Sequence, residues 1–501
     1  MTDIVASDLA DLERWARAVQ MVSFDGPVAP PWLLDELAAG TGSVCLFAGN
    51  VESDEAVAEL VAALRSARPD VVVAIDEEGG DVTRLDQRRG SDVPGPAVLG
   101  AVDDLEATAA AYRMIGRRLA RAGIDLDLAP VADVNVAAEN PVIGVRSFGD
   151  DAGLVARHVA AAAAALESVG VAACLKHFPG HGATVDDSHQ GLPVLDVDAA
   201  TLRARELVPF AGSSAAAVMT AHMVVTALDA QPATRSRVVL GVLRDELGFD
   251  GVIVSDALDM AGVHGPAVRY GEVTPDMIGV AAVAAIDAGC DLLCLGARQG
   301  HDVPLAVTSA LVRAVADGRL SGARLADAAA RVGSLCRASR ARHVIEAAAD
   351  PDADEAIVAS VAARAVAVAG DLRVPVRSAL VVDCRAEASM ATHGVLWGLG
   401  PVIAAADPTA RHRDATPSTT AEEIAADADN RPLVVVVRSA GAHRWQLDLL
   451  ERLALARPDL VTVEVGWPAR AAVYAGAALV TSFGASRTSI GAVASRLLAT
   501  A

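Results

Sequence analysis

The chain has 501 residues, 53% of them hydrophobic and 21% charged, which is enough apolar material for one large domain and a smaller one and excludes disorder as its main state. With 42 basic against 64 acidic side chains its formal net charge is −22 and its pI about 4.8, a field that repels phosphate backbones and anionic lipid, so neither nucleic acid nor a membrane surface is expected as a partner. Alanine and valine carry the mean hydropathy of +0.37, and no apolar run reaches the roughly 18 residues of a membrane-spanning helix.

The first 20 residues, MTDIVASDLADLERWARAVQ, place Asp, Glu and Arg where a secretory signal needs an apolar core, and the chain is accordingly read as cytoplasmic. From there to about residue 340, short apolar runs alternate with longer segments of helical period, the pattern of repeated βα units around a parallel sheet. Strands are predicted near 21–24, 43–47, 70–75, 124–129, 171–175, 216–220, 251–255 and 290–295. Two of the helical segments between them, LEATAAAYRMIGRRLARAG and AGLVARHVAAAAAALESVG, end on the glycine stop signals Gly123 and Gly170. Eight such units predict an α/β fold, a (β/α)8 TIM-like barrel over residues 1–350. The six cysteines, at 45, 174, 290, 294, 336 and 384, sit in apolar runs without CxxC spacing, as reduced buried thiols do.

Near residue 350 an acidic, proline-containing break precedes an alanine-rich helix, after which apolar β runs resume. Strands near 379–383, 401–406, 433–438, 460–465 and 478–482 predict a smaller doubly wound α/β sandwich domain over 351–501. It carries no glycine-rich dinucleotide fingerprint and no phosphate-loop sequence, so no catalytic residue is assigned to it.

A barrel holds its chemistry at the carboxyl ends of its strands. There the third predicted strand runs into DEEGGDVTR, the fourth into PVADVN and later NPVIGVRSFG, the fifth into KHFPGHGATVDDSH, the sixth into AHM and the seventh into SDALDM. His177, His181 and His189 invite a metal site, but Pro179 and Gly180 break the helix that would put the first two on one face, and no metal is expected. Lys176 and His177 are placed to donate hydrogen bonds to a polar neutral ligand, the alternative being ion pairs with rim carboxylates. Asp187 and His189 form an Asp-x-His unit, whose carboxylate can accept the imidazole N–H and raise its basicity, the alternative being ordinary turn residues. Asp256, projecting from a buried strand, suits a nucleophile; its alternative is helix capping, a role that falls more naturally to Asp259.

KHFPGHG at 176–182 followed by DSH at 187–189 resembles the signature of glycoside hydrolase family 3, in its β-N-acetylglucosaminidase branch. IDEEGGDVTR (75–84), GVRSFGDD (144–151), PATRSRVVLGVLRDELGFDGVIVSDALDM (232–260) and AAIDAGCDLLCL (284–295) extend the resemblance over about residues 15–345. Beyond 370 it is one of architecture, to the second α/β domain of some members. The resemblance implies Asp256 as the catalytic nucleophile, His189 as general acid/base and Asp187 as its partner. It implies further that Asp76, Arg84, Arg146, Lys176 and His177 hold the terminal sugar, Asp76 through ring hydroxyls and Arg146 nearer the N-acetyl group. Two positions depart from the family pattern: Ala183, where Asp is common after GHG, and Asp81, where Arg is frequent after EGG.

The implied activity is a retaining exo-β-N-acetylglucosaminidase without cofactor, acting on N-acetylglucosamine-terminated oligosaccharides or glycopeptides such as peptidoglycan fragments or chitobiose. An imidazole acid does not repel an anionic acceptor, which keeps a phosphorylase as an alternative. The family's β-glucosidase branch is a second alternative, set aside because it draws its acid from the second domain rather than from a DSH loop. A sugar sensor on the same scaffold is a third, set aside because Asp256 and His189 are both present.

Overall fold

In the computed structural model, residues 6–186, 191–265, 267–269, 271–342, 350–372, 377–385, 398–469 and 473–499 are described. They form two compact units, one drawn from 1–77, 112–134 and 151–349, the other from 78–111, 135–150 and 350–501. The second unit thus contains, besides the chain beyond 350, two earlier segments that follow the third and fourth strands of the first.

The first unit is a closed barrel of eight parallel strands: Gln20–Val22, Ser43–Leu46, Val72–Ile75, Leu126–Asp127, Ala172–Phe178, Ala217–Thr220, Val252–Ser255 and Leu292–Cys294. Each strand pairs with its neighbour in sequence order and the last returns to the first, Gln20 opposite Leu293. The interior is filled by alternate residues, Val72 and Ala74, Ala172 and Cys174, Ala217 and Met219, Val252 and Val254, as the two-residue strand period requires. All six cysteines are buried, Cys45, Cys174, Cys294 and Cys336 in this interior cluster. Surrounding helices follow local signals. Asp151 caps Ala152–Ser168 by accepting from the Leu154 N–H at 2.7 Å, and Val155, Val159, Ala162 and Leu166 form its buried stripe. At the amino-terminal end of the barrel, buried Asp291 accepts from Arg244 and Arg324, each at 2.7 Å, and from the Ile253 N–H at 3.0 Å, tying three elements together away from the chemistry. A short three-stranded sheet (Val194–Leu195, Val224–Val225, Asp229–Pro232), absent from the predicted elements, lies between the fifth and seventh barrel strands in sequence.

The second unit is built on a six-stranded sheet in the order Ala367–Gly370, Ala478–Thr481, Val461–Glu464, Leu433–Val437, Leu380–Cys384, Arg411–Ala415. All neighbours are parallel except the first pair. Strand order reverses between Leu380–Cys384 and Leu433–Val437, the switch point of a doubly wound sheet. One predicted strand is corrected: 401–406 is helical, within Gly400–Ala406, with Pro401 in its first turn and only Gly400 and Ile403 buried. Three alanines and an N-terminal proline favour a helix there, and so short an apolar run does not separate the two periods. The strand at that edge is the charged segment Arg411–Ala415, largely exposed as edge strands tend to be.

Candidate active site

The alternation that fills the barrel continues past the strand ends. Residues 72, 74 and 76, residues 172, 174 and 176, and residues 252, 254 and 256 share one parity, so Asp76, Lys176 and Asp256 follow interior positions at the mouth. Lys176 Nζ donates to Asp76 Oδ1 at 2.6 Å, with the lysine side chain 3% and the aspartate 16% exposed. The pair leaves Asp76 the more accessible partner, a carboxylate held in place by a buried ammonium.

Between the fifth and sixth strands, Lys176 pairs with Met219 and Phe178 with Thr220, so His177 is the extra residue of a bulge. Its Nδ1 lies 2.8 Å from Asp133 Oδ2, while Asp133 Oδ1 accepts from the backbone N–H of His177 at 3.2 Å and of His181 at 2.7 Å. An Nδ1–H donated to Asp133 sets the tautomer and leaves Nε2 as the acceptor of the ring. Burial alone would raise the Asp133 carboxyl, but His177, His181 and the backbone N–H of His181 together hold it below its ordinary value. Burial also lowers the His181 imidazole, whose Nδ1 is 2.6 Å from Thr184 Oγ1. Asp133 was not singled out from the sequence, although the PVADVN segment placed it at the rim; its partners lie 44 and 48 residues away.

Asp256 directly follows the seventh strand, half-buried, and its Oδ1 accepts from the Ala257 N–H at 2.8 Å. Its charge bears on His181 and on Cys174 beneath it. The peptide beyond it is held by buried His222, whose Nε2 lies 2.9 Å from the Ala257 carbonyl and whose Nδ1 lies 2.8 Å from Thr234 Oγ1. His222 is the histidine of AHM, a second functional neighbour that spacing did not isolate. Asp259 does not cap a helix, contrary to expectation. Its Oδ2 accepts from the Ala297 N–H at 3.1 Å and from Gln299 at 3.2 Å, so it ties the loops after the seventh and eighth strands. Gly296 makes that approach possible, since a Cβ there would stand 2.0 Å from the Asp259 carboxyl carbon and its φ is +106°. Asp127, fully buried at the end of the fourth strand, accepts from the Glu77 N–H at 3.0 Å, and burial pushes its carboxyl well up.

In the second unit Arg146 is buried in the turn Gly144–Arg146 and meets Glu78 twice, Nε to Oε2 at 2.9 Å and Nη2 to Oε1 at 2.8 Å. Such a fork fixes the guanidinium plane. Arg84 is also buried and belongs to the same unit. Asp187 and His189 lie outside the described residues. Asp383, His412 and Asp414, at the sheet edge, form the one group of three metal-type ligands within reach of one another among the described residues, but Asp383 already accepts from the Leu399 and Gly400 N–H groups and Asp414 from Arg385. The cluster reads as an edge ion-pair group. No described helix is long and apolar enough to cross a membrane.

A Beta-hexosaminidase of Stenotrophomonas maltophilia (strain K279a) is 37% identical over 326 residues, 60% of this chain and 92% of that protein. The solved structure of a glycoside hydrolase family 3 beta-N-acetylglucosaminidase from Paenibacillus sp. str. FPU-7 superposes with a TM-score of 0.85 at 29% identity, covering 98% of this chain and 97% of that one. A beta-glucoside phosphorylase bound to 2FGlc shares the fold, with a TM-score of 0.76 at 15% identity over 99% of this chain and 95% of that one. Residues 32–335 match the family described as Glycosyl hydrolase family 3 N terminal domain. The chain belongs to glycosyl hydrolase family 3 and is a glycoside hydrolase.

Proposed function

We propose that this enzyme is a cytoplasmic, retaining exo-β-N-acetylglucosaminidase that removes terminal β-linked N-acetylglucosamine from small fragments, peptidoglycan turnover products or chitobiose among them. The observation that carries the reading is Asp256, a carboxylate at the mouth end of a buried barrel strand whose own loop is tied down through His222 and Asp259. The names of the similar proteins support the N-acetyl sugar.

In the first step an Asp256 oxygen attacks the anomeric carbon, the glycosidic C–O bond breaks, and His189 gives its proton to the departing oxygen. In the second, His189 takes a proton from water, whose oxygen displaces Asp256 from the same carbon. Two inversions return the β configuration. Asp187 orients the imidazole. Asp76, steadied by Lys176, accepts sugar hydroxyls, and His177, oriented by Asp133, presents its second ring nitrogen. Arg84 and Arg146 bind the same sugar, Arg146 toward the N-acetyl group.

The test compares release of p-nitrophenol from the β-N-acetylglucosaminide and the β-glucoside, with and without phosphate, and identifies the sugar product by chromatography. Faster turnover of the N-acetyl substrate with free sugar as product is expected; sugar 1-phosphate would make the enzyme a phosphorylase, and preference for the glucoside would move it to the other branch. Asp256→Ala should abolish turnover and His189→Ala lower it by about 10²- to 10⁴-fold. Near-native rates in either variant would overturn the assignment of the acid and the nucleophile.

A further inference from the structure

Asp81, one of the two departures from the family pattern, is 3% exposed, and a carboxylate does not stay buried without partners. Both of its oxygens are engaged from the far end of the chain. Oδ2 accepts from Arg438 Nη2 at 2.7 Å, and Oδ1 accepts from the Ala485 N–H at 2.8 Å. Arg438 follows the strand Leu433–Val437, beside the point where strand order reverses, the place where a doubly wound sheet ordinarily meets its ligand.

Arg438 is itself held. Buried Gln446 accepts from its N–H at 2.8 Å and donates to its carbonyl at 3.1 Å. Buried Glu464 accepts from the next two amides, Ser439 at 2.8 Å and Ala440 at 3.0 Å, and from Tyr474 at 2.8 Å. The receiving loop is equally constrained, since the Glu78 N–H meets the Val82 carbonyl at 3.1 Å and the Gly80 N–H meets the Val93 carbonyl at 2.9 Å. Asp81 stands three residues after Glu78, which grips Arg146, and three before Arg84.

We infer that Arg438 is a positioning residue, which through Asp81 holds the 78–84 loop so that Arg84 and the Glu78–Arg146 pair stand ready for the sugar. The inference rests on the sugar-binding role proposed for those two arginines. It gives the sheet beyond residue 350 a part in substrate affinity without any contact to substrate, and it accounts for Asp81 as one half of a matched pair.

The test uses the full chain with Arg438→Gln, Arg438→Lys and Asp81→Asn, read by steady-state kinetics on p-nitrophenyl β-N-acetylglucosaminide and by amide hydrogen exchange over 78–84 and 144–146. Arg438→Gln and Asp81→Asn should raise KM about tenfold with kcat held within about threefold, the signature of lost uniform binding, and should speed exchange in both segments but not in the barrel strands. Arg438→Lys, which keeps the charge, should restore most of the affinity. Unchanged exchange, or faster exchange with an unchanged KM, would overturn the inference, and so would a lowered unfolding temperature without either effect. If the unsubstituted enzyme turns over neither sugar substrate, the proposed function falls, and the exchange arm alone then decides whether Arg438 holds the loop.

Discussion

Glu206 sits beneath the loop that carries His177 and His181, fully buried, with its Oε1 accepting from Arg205 at 2.6 Å and no protein hydrogen bond to Oε2 among the described residues. Burial pushes its carboxyl from an ordinary 4.5 up to about 7, against the pull of Arg205. Its folded value exceeds its unfolded one, so the stability it carries is complete below about pH 4.5 and is lost as pH rises toward 7. The difference corresponds to about 3 kcal/mol. Glu206→Gln, which cannot ionise, should match the unsubstituted enzyme near pH 4.5 and exceed it by about 3 kcal/mol at pH 8. Chemical denaturation across that range decides it, and parallel curves for the two proteins would refute the linkage. A Cβ added at Gly180, whose φ is +134°, would stand 2.8 Å from Glu206 Oε2, so the glycine of the signature loop and this carboxyl share one space.

At the scale of strands and helices, the barrel was legible because its strands are apolar on both faces and separated by long amphipathic segments with glycine stops. All eight predicted strands overlap observed ones. The second sheet was less so. Arg411–Ala415 reads RHRDA, without an apolar run to betray a strand, because an edge strand with little buried surface needs none. Ala367–Gly370 merges in sequence with the alanine-rich helix before it. The site shows the same division. Asp76, Lys176, His177 and Asp256 stand next to apolar runs and could be read from them, whereas Asp133, His222 and the Asp81–Arg438 pair are defined by partners distant in sequence, which no local pattern encodes. The bulge at His177 is equally silent, being a matter of register between two strands. The charged edge also makes a prediction. Arg411→Val with Arg413→Val should turn an open backbone into a pairing surface and produce self-association at concentrations where the unsubstituted enzyme stays unassociated, as read by sedimentation velocity. Identical sedimentation would show that the charges do not guard this edge.

For the molecule as a whole, the fold does not follow the order of the chain. Segments 78–111 and 135–150, which sequence assigns to the barrel, are completed by elements beyond 350: helix Pro96–Val102 lies against Pro351–Ala365, Arg364 donates to Asp104 at 2.9 Å, and Arg487 donates to Asp92 at 2.7 Å. A chain ending at residue 349 keeps all eight barrel strands yet strips Asp81 of both its partners. Limited proteolysis of that fragment should cut first within 78–111 and 135–150 while the barrel strands resist, and turnover should be lost. Equal resistance throughout would mean that these loops stand without the sheet.

The span between Asp81 and its partners also sets a schedule for synthesis. Ala485 leaves the ribosome 404 residues after Asp81. At about 5–20 residues per second that interval is roughly 20–80 s; the cation, Arg438, is made 357 residues after Asp81, so for most of the interval a carboxylate destined for burial has no cation to meet it. The barrel strands are all made by Cys294, well before Leu433–Val437 exists, so the nascent enzyme passes through a stage with a closable barrel and unfinished 78–111 and 135–150 segments. Whatever attends the chain as it emerges must tolerate this interval.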